Sequence, residues 1–173
     1  MADAVSWAAV GRRGALVAVL GLCAAFGWAA ARHPHSGLDA NPAQAIIEQT
    51  NAAREADAQP PLTVDPRLTL AAEAYARDMA RRRWFDHIAP DGSSVEARAE
   101  AAGYGDWLFL AENLATGSGP PDATDLVASW LNSPGHRRNI LSPDLREIGV
   151  GCYLVRRSPV QFWCVQEFGT RAH

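Results

Sequence analysis

The chain has 173 residues, 48% hydrophobic and 20% charged, with a formal net charge of −3. Those fractions are ordinary for a globular protein and exclude a disordered or collagen-like chain. Every basic residue is Arg, and the only basic cluster is Arg81-Arg82-Arg83. A chain with a pI near 5.9 and no broad basic patch is not built to bind nucleic acid.

Gly14 to Ala31 is eighteen residues without a charge, preceded by Arg12-Arg13 and ending in Ala29-Ala30-Ala31. A positive start, an apolar stretch and small residues at its end have the form of a secretory signal. Eighteen apolar residues are also near the lower limit for spanning a bilayer, so residues 1–31 read as a cleaved signal peptide or an N-terminal anchor. In both cases the arginines stay inside and the rest is exported, with membrane contact expected only through this segment. Cys23 is filler within the apolar run. Loss of residues 1–31 removes Asp3, Arg12 and Arg13, which moves the formal charge from −3 to −4. Two cysteines remain, Cys152 and Cys164, and an even count in an oxidising compartment favours a disulfide.

Residues 32–40 are polar and broken by Pro and Gly, a linker in which His33 and His35 are solvated chain. Residues 41–170 are enough for one core and not two, and carry no internal repeat. Asn41-Pro42 opens a helix, with Ile46, Ile47, Thr50, Asn51 and Arg54 on one period, and Pro60-Pro61 closes it. A second helix runs from Leu68 to Arg83, with Leu68, Ala71, Ala72, Tyr75 and Met79 at spacings of three and four. Ser93-x-x-Glu96 reads as a capping box for a third helix that stops at Gly103. A fourth runs from about Asp122 through Leu126, Val127 and Trp130 to Ser133-Pro134-Gly135. Two strands close the chain, about Ile148–Arg156 and Val160–Phe168, joined at Arg157-Ser158-Pro159. Helices first and a hairpin last suggest an α+β domain. Cys152 and Cys164 are equally spaced about Ser158, so a hairpin centred there sets them opposite each other, at the ~4.5–5.5 Å Cα separation a disulfide accepts.

Three stretches embed polar residues among apolar ones: Trp84-Phe85-Asp86-His87 with Pro90-Asp91-Gly92; Leu110-Ala111-Glu112-Asn113-Leu114; and Trp130 through Leu141, which holds Ser133, His136 and Asn139. Each places a His or Glu where burial is expected, and a buried ionisable group needs a partner. Individually they are weak. A single His after an aromatic pair is usually a hydrogen-bonder, and a Glu-Asn pair between leucines reads as a loop brace or helix cap. Gly-x-Ser-x-Gly, His-Glu-x-x-His and Cys-x-x-Cys are all missing. Arg54 and Asn139 read as structural residues.

Together, in order and spacing, these stretches resemble the CAP superfamily of cysteine-rich secretory proteins, antigen 5 and pathogenesis-related proteins, in its compact bacterial branch. The resemblance runs from about Ala45 to Phe168. It rests on Asn51-x-x-Arg54, Pro61-Leu62-x-x-Asp65-x-x-Leu68, Phe85-x-His87, Pro90-Asp91-Gly92, Ala111-Glu112-Asn113-Leu114, Trp130-x-x-Ser133-Pro134-Gly135-His136-Arg137-x-Asn139-Ile140-Leu141, Ile148-Gly149-Val150-Gly151 and Gln166-x-Phe168-Gly169. It implies a three-layer α-β-α sandwich with a central antiparallel sheet, and a cleft lined by His87, Glu112 and His136, with Asn113 and Ser133 beside them. Ser133 stands where many eukaryotic members carry a second Glu, and Ala111 replaces the family's usual Gly.

His87, His136 and Glu112 are also the inventory of an open zinc site. Three roles follow for the exported domain. It is a binding module for a lipid, metal, peptide or cell-wall ligand; or a metal-dependent hydrolase using the same residues; or it keeps them as a buried polar network with its function elsewhere. The expected partner is a small apolar or cell-envelope ligand.

Overall fold

The computed structural model describes residues 42–155, 158 and 160–172. The signal or anchor, the linker, the Asn41 cap and the Arg157 and Pro159 turn positions lie outside them.

Helix α1 (Pro42–Ala56) begins at its proline, whose missing N–H has no intrahelical partner to lose. It buries Ile46, Ile47, Thr50 and Arg54. After the two-residue strand β1 (Thr63–Val64), Asp65 caps helix α2 (Pro66–Arg82) by accepting from the Arg67 amide. The α2 face expected from its spacing is the buried one: Leu68, Ala71, Ala72, Tyr75, Ala76 and Met79. Helix α3 (Val95–Ala101) follows, then strand β2 (Trp107–Gly117), helix α4 (Ala123–Asn132), helix α5 (Pro134–Leu141), and strands β3 (Glu147–Leu154) and β4 (Phe162–Arg171).

The strands form one sheet in the order β1-β3-β4-β2. β4 pairs antiparallel with both β3 and β2, while β1 runs parallel to β3. Alternation along β3 and β4 divides the core. Ile148, Val150, Phe162, Cys164 and Phe168 pack with residues of α1, α4 and α5. Trp163 and Val165, with Leu114 of β2, pack with Tyr75, Ala76 and Met79 of α2. α3 joins the α2 layer through Ala99, which packs with Leu68 and Tyr104. This is the α-β-α sandwich.

Glycine lets α2 lie directly on the sheet. A Cβ on Gly149 would come within 2.2 Å of the Leu68 and Thr69 backbone, and one on Gly151 within 2.3 Å of the Glu73 amide nitrogen. Cys152 and Cys164 stand directly opposite each other on β3 and β4, joined by a disulfide across a Cα separation of 4.2 Å.

Three local readings of the sequence change. Glu112 and Asn113 belong to the eleven-residue strand β2, not to a loop or a helix cap. Its run of Ala, Asn and Thr lacks a clean alternation, and tertiary pairing with β4 makes the strand. Ser133-Pro134 ends one helix but also begins another, α5, because Pro is suited to a first helical position. The cap of α3 is Ser94, whose side chain accepts from the Ala97 amide, not Ser93. Ser93 instead closes the preceding turn, its amide donating to Asp91 and its carbonyl accepting from Ala89.

Candidate functional site

His87 sits on the segment between α2 and α3, and local chemistry shapes that segment. Ala89-Pro90-Asp91-Gly92 is a tight turn closed by the Gly92 amide donating to the Ala89 carbonyl at 2.8 Å, with Gly92 at φ +85°. Tyr75 of α2 donates its hydroxyl to the Asp86 carbonyl, and the Trp84 indole donates to the Ile88 carbonyl. Burial pushes the Tyr75 hydroxyl up to about 12, so it keeps the proton it donates.

Glu112 projects from β2 toward the α2 side, buried beneath this segment. Its Oε1 lies 2.7 Å from His87 Nδ1, and its Oε2 accepts from an Arg98 terminal nitrogen at 2.6 Å. Arg98, on α3, also donates to the His87 and Ser93 carbonyls, and its guanidinium lies 3.5 Å from the centre of the Tyr75 ring. The hydrogen bond to Glu112, reinforced by its charge, holds the His87 imidazole above its ordinary pKa against the opposing effect of burial. The His87 side chain remains 43% exposed while that of Glu112 is 2% exposed. The carboxylate therefore orients a ring that faces solvent.

His136 lies in the first turn of α5, on the opposite side of the sheet, half-buried. Burial first, and the charge of His87 second, hold its imidazole below the ordinary value. β2, which carries Glu112 and Asn113, is an edge strand of the sheet, and the charge of His87 reaches His136. Ser133 occupies the N-cap position of α5 without a side-chain capping bond.

Asn113, one residue from Glu112, points the other way. Its amide donates to the Gln166 side chain at 3.0 Å and the His136 carbonyl at 3.3 Å, and its oxygen accepts from Asn139 at 2.9 Å. Gln166 then donates to Thr50, and Thr50 to the Ile46 carbonyl. This buried chain ties α5 through β2 and β4 to α1, and it makes Asn113 a brace for His136 rather than a ligand-facing group. Asn139 also donates to the Glu112 carbonyl. Arg54 is fully buried and spends its guanidinium on the carbonyls of Pro60, Ile140, Ser142 and Leu145. Burial holds its pKa below the ordinary value.

The residues do not fit a three-ligand zinc centre. Both Glu112 oxygens are already engaged, one by an imidazole and one by a guanidinium cation. Among the described residues no three His, Cys, Asp or Glu side chains are grouped to hold a metal. Sequence reasoning missed Arg98 and Tyr75, whose roles depend on partners distant in the chain.

The sequence model of the cysteine-rich secretory protein (CAP) family matches residues 47–168, which takes in every element from α1 to β4 except their outermost residues. The chain belongs to the CAP family. YkwD of Bacillus subtilis is 37% identical over 106 residues, 61% of this chain and 40% of that protein. The CAP chain thus spans less than half the length of this relative. An extracellular protein of Bacillus anthracis containing an SCP domain has a solved structure with a TM-score of 0.65 and 28% identity, covering 76% of this chain and 40% of that one. An outer surface protein of Borrelia burgdorferi shares the fold at a TM-score of 0.66 and 22% identity, over 75% of this chain and 92% of that one.

Proposed function

We propose that this CAP domain is an exported binding module whose cleft between His87 and His136 takes a small apolar or cell-envelope ligand. The observation that carries this reading is the half-exposed His87 ring held by a buried Glu112–Arg98 pair. Such an arrangement lowers the ordering cost of binding, because the donor is already fixed. Trp84 and Ile88, on the same segment, are 39% and 49% exposed and offer apolar contact beside the ring. A ligand with an apolar body and a hydrogen-bonding or anionic end matches both features.

Export is supported by the N-terminal segment and by similarity to proteins described as extracellular or outer-surface. Among the described residues no helix is long and apolar enough to cross a membrane. In this reading only residues 14–31 would anchor the chain in a membrane, and the cleft meets lipid solely as a ligand. The hydrolase alternative has less support, since the carboxylate it needs on a metal is engaged by protein groups.

The test is co-sedimentation of the purified protein with isolated peptidoglycan and, separately, with phospholipid vesicles. Binding to one of them that His87→Ala and Trp84→Ala each weaken about tenfold is expected, the scale of losing one good contact. Binding to neither, or binding unchanged in both variants, overturns the proposal. Calorimetric heat with Zn²⁺ that disappears in His87→Ala would favour the metal reading instead.

A further inference from the structure

Glu167 of β4 is fully buried, and neither of its carboxyl oxygens has a hydrogen-bond partner. It stands opposite Glu112 on β2 and Gly149 on β3, on the sheet face whose Trp163 and Val165 pack against α2. At Gly149 the helix lies so close that a Cβ would meet the Leu68 and Thr69 backbone at 2.2 Å, so α2 closes this part of the face against solvent.

Among the described residues no counter-ion answers this carboxyl. Its neighbour across β2, Glu112, is a second acid. Arg98 of α3 spends its terminal nitrogens on Glu112, at 2.6 Å, and on the His87 and Ser93 carbonyls. The His87 ring is bonded to Glu112, and Tyr75 of α2 donates its hydroxyl to the Asp86 carbonyl. On β3 the facing position is Gly149, and Glu147, two residues along, is held by Tyr104 and Arg171. In such a layer an unpaired carboxylate costs far more than the neutral acid.

We propose that α2 and α3 close over the sheet only while Glu167 holds its proton, which makes this buried acid a pH switch built into the fold. Losing the proton places a second negative charge beside Glu112 in a layer whose guanidinium is already engaged. α2 and α3 then loosen, together with the His87 segment that Arg98 ties to them. Burial, and after it the Glu112 charge, push Glu167 up to about 8, with Arg98 acting the other way. An unfolded Glu titrates near ~4.3. Between those two values the folded chain holds one more proton than the unfolded chain, so stability falls as pH rises through that window and levels off above it.

This goes beyond the binding reading and is tested without a ligand, so the two can fail separately. Urea unfolding of the wild type and Glu167→Gln is compared at pH 5.5 and 7.5, because groups common to both chains cancel in the ratio of their unfolding constants. That ratio should rise roughly fifty- to a hundredfold towards pH 7.5, the effect of one proton over two pH units. A ratio constant to within about threefold overturns the proposal. In the folded wild type, exchange protection of the α2 and α3 amides relative to those of α1 should drop about tenfold or more between pH 7 and 9, and hold steady in Glu167→Gln. Unchanged relative protection in the wild type overturns the loosening. If Glu167→Gln does not fold, the wild type still decides: the Glu167 carboxyl carbon should titrate near 8 by NMR, and a midpoint below about 5 overturns the proposal.

Discussion

Glu112 and Asn113 are neighbours on β2 and serve opposite faces of the sheet. Glu112 turns toward α2 and α3, where it holds His87 and Arg98. Asn113 turns toward α5, where it holds the His136 carbonyl and Asn139. The alternation of a single strand thereby supports two histidines that come from separate layers.

The two histidines should titrate in opposite directions from the ~6.5 of a free imidazole. The Glu112 hydrogen bond raises His87, whereas burial and the His87 charge lower His136. By linkage, the stability from His87 is fully present below about pH 6.5 and is lost as pH rises through its folded value. That from His136 has the reverse sign, present above about pH 6.5 and lost as pH falls through its folded value. NMR titration of the ring protons checks both. Glu112→Gln should bring the His87 midpoint down, and His87→Ala should bring the His136 midpoint part-way back up. A His136 midpoint indifferent to His87 would show that the two rings do not face one cleft.

Arg54→Met should cost about 3–5 kcal/mol, since four carbonyls lose a buried donor. Arg54→Lys should recover little of this, because one ammonium cannot reproduce the planar fork. Denaturant unfolding gives the loss. The His87 titration should be unchanged in either variant, since Arg54 serves the α1–α5 layer.

Gly149→Ala should destabilise the fold by at least about 3 kcal/mol. The new methyl would meet the Leu68 and Thr69 backbone at 2.2 Å, which only a shift of α2 can relieve. The same shift would disturb Tyr75 and, through it, the Arg98 stack. Thermal unfolding and the ring signals of His87 should report it together.

Reduction of the Cys152–Cys164 bond should lower stability by roughly 2–3 kcal/mol, because the enclosed loop, with a sequence separation of 12, is short. Unfolding midpoints with and without reductant measure this. The histidine midpoints should stay where they are, as the disulfide joins β3 to β4 and neither cysteine hydrogen-bonds the His87 or His136 segments.

The sequence by itself determined what depends on neighbours along the chain. The buried face of α2 was written in the spacing from Leu68 to Met79, the start of α4 near Asp122, and the Cys152–Cys164 pairing in the equal distances from Ser158. The family motifs named His87, Glu112 and His136 without showing how they relate.

Tertiary structure decided the rest, because each remaining feature depends on groups far apart in sequence. β2 is a strand because β4 lies beside it. Glu112 is an orienting group rather than a free carboxylate because Arg98 arrives from α3 to occupy its second oxygen. Arg54 is buried without a carboxylate because the ends of α1 and α5 converge on its guanidinium. In a low-dielectric core a charged or polar group takes its role from whichever partner the fold brings within hydrogen-bond reach, and sequence spacing does not encode that distance.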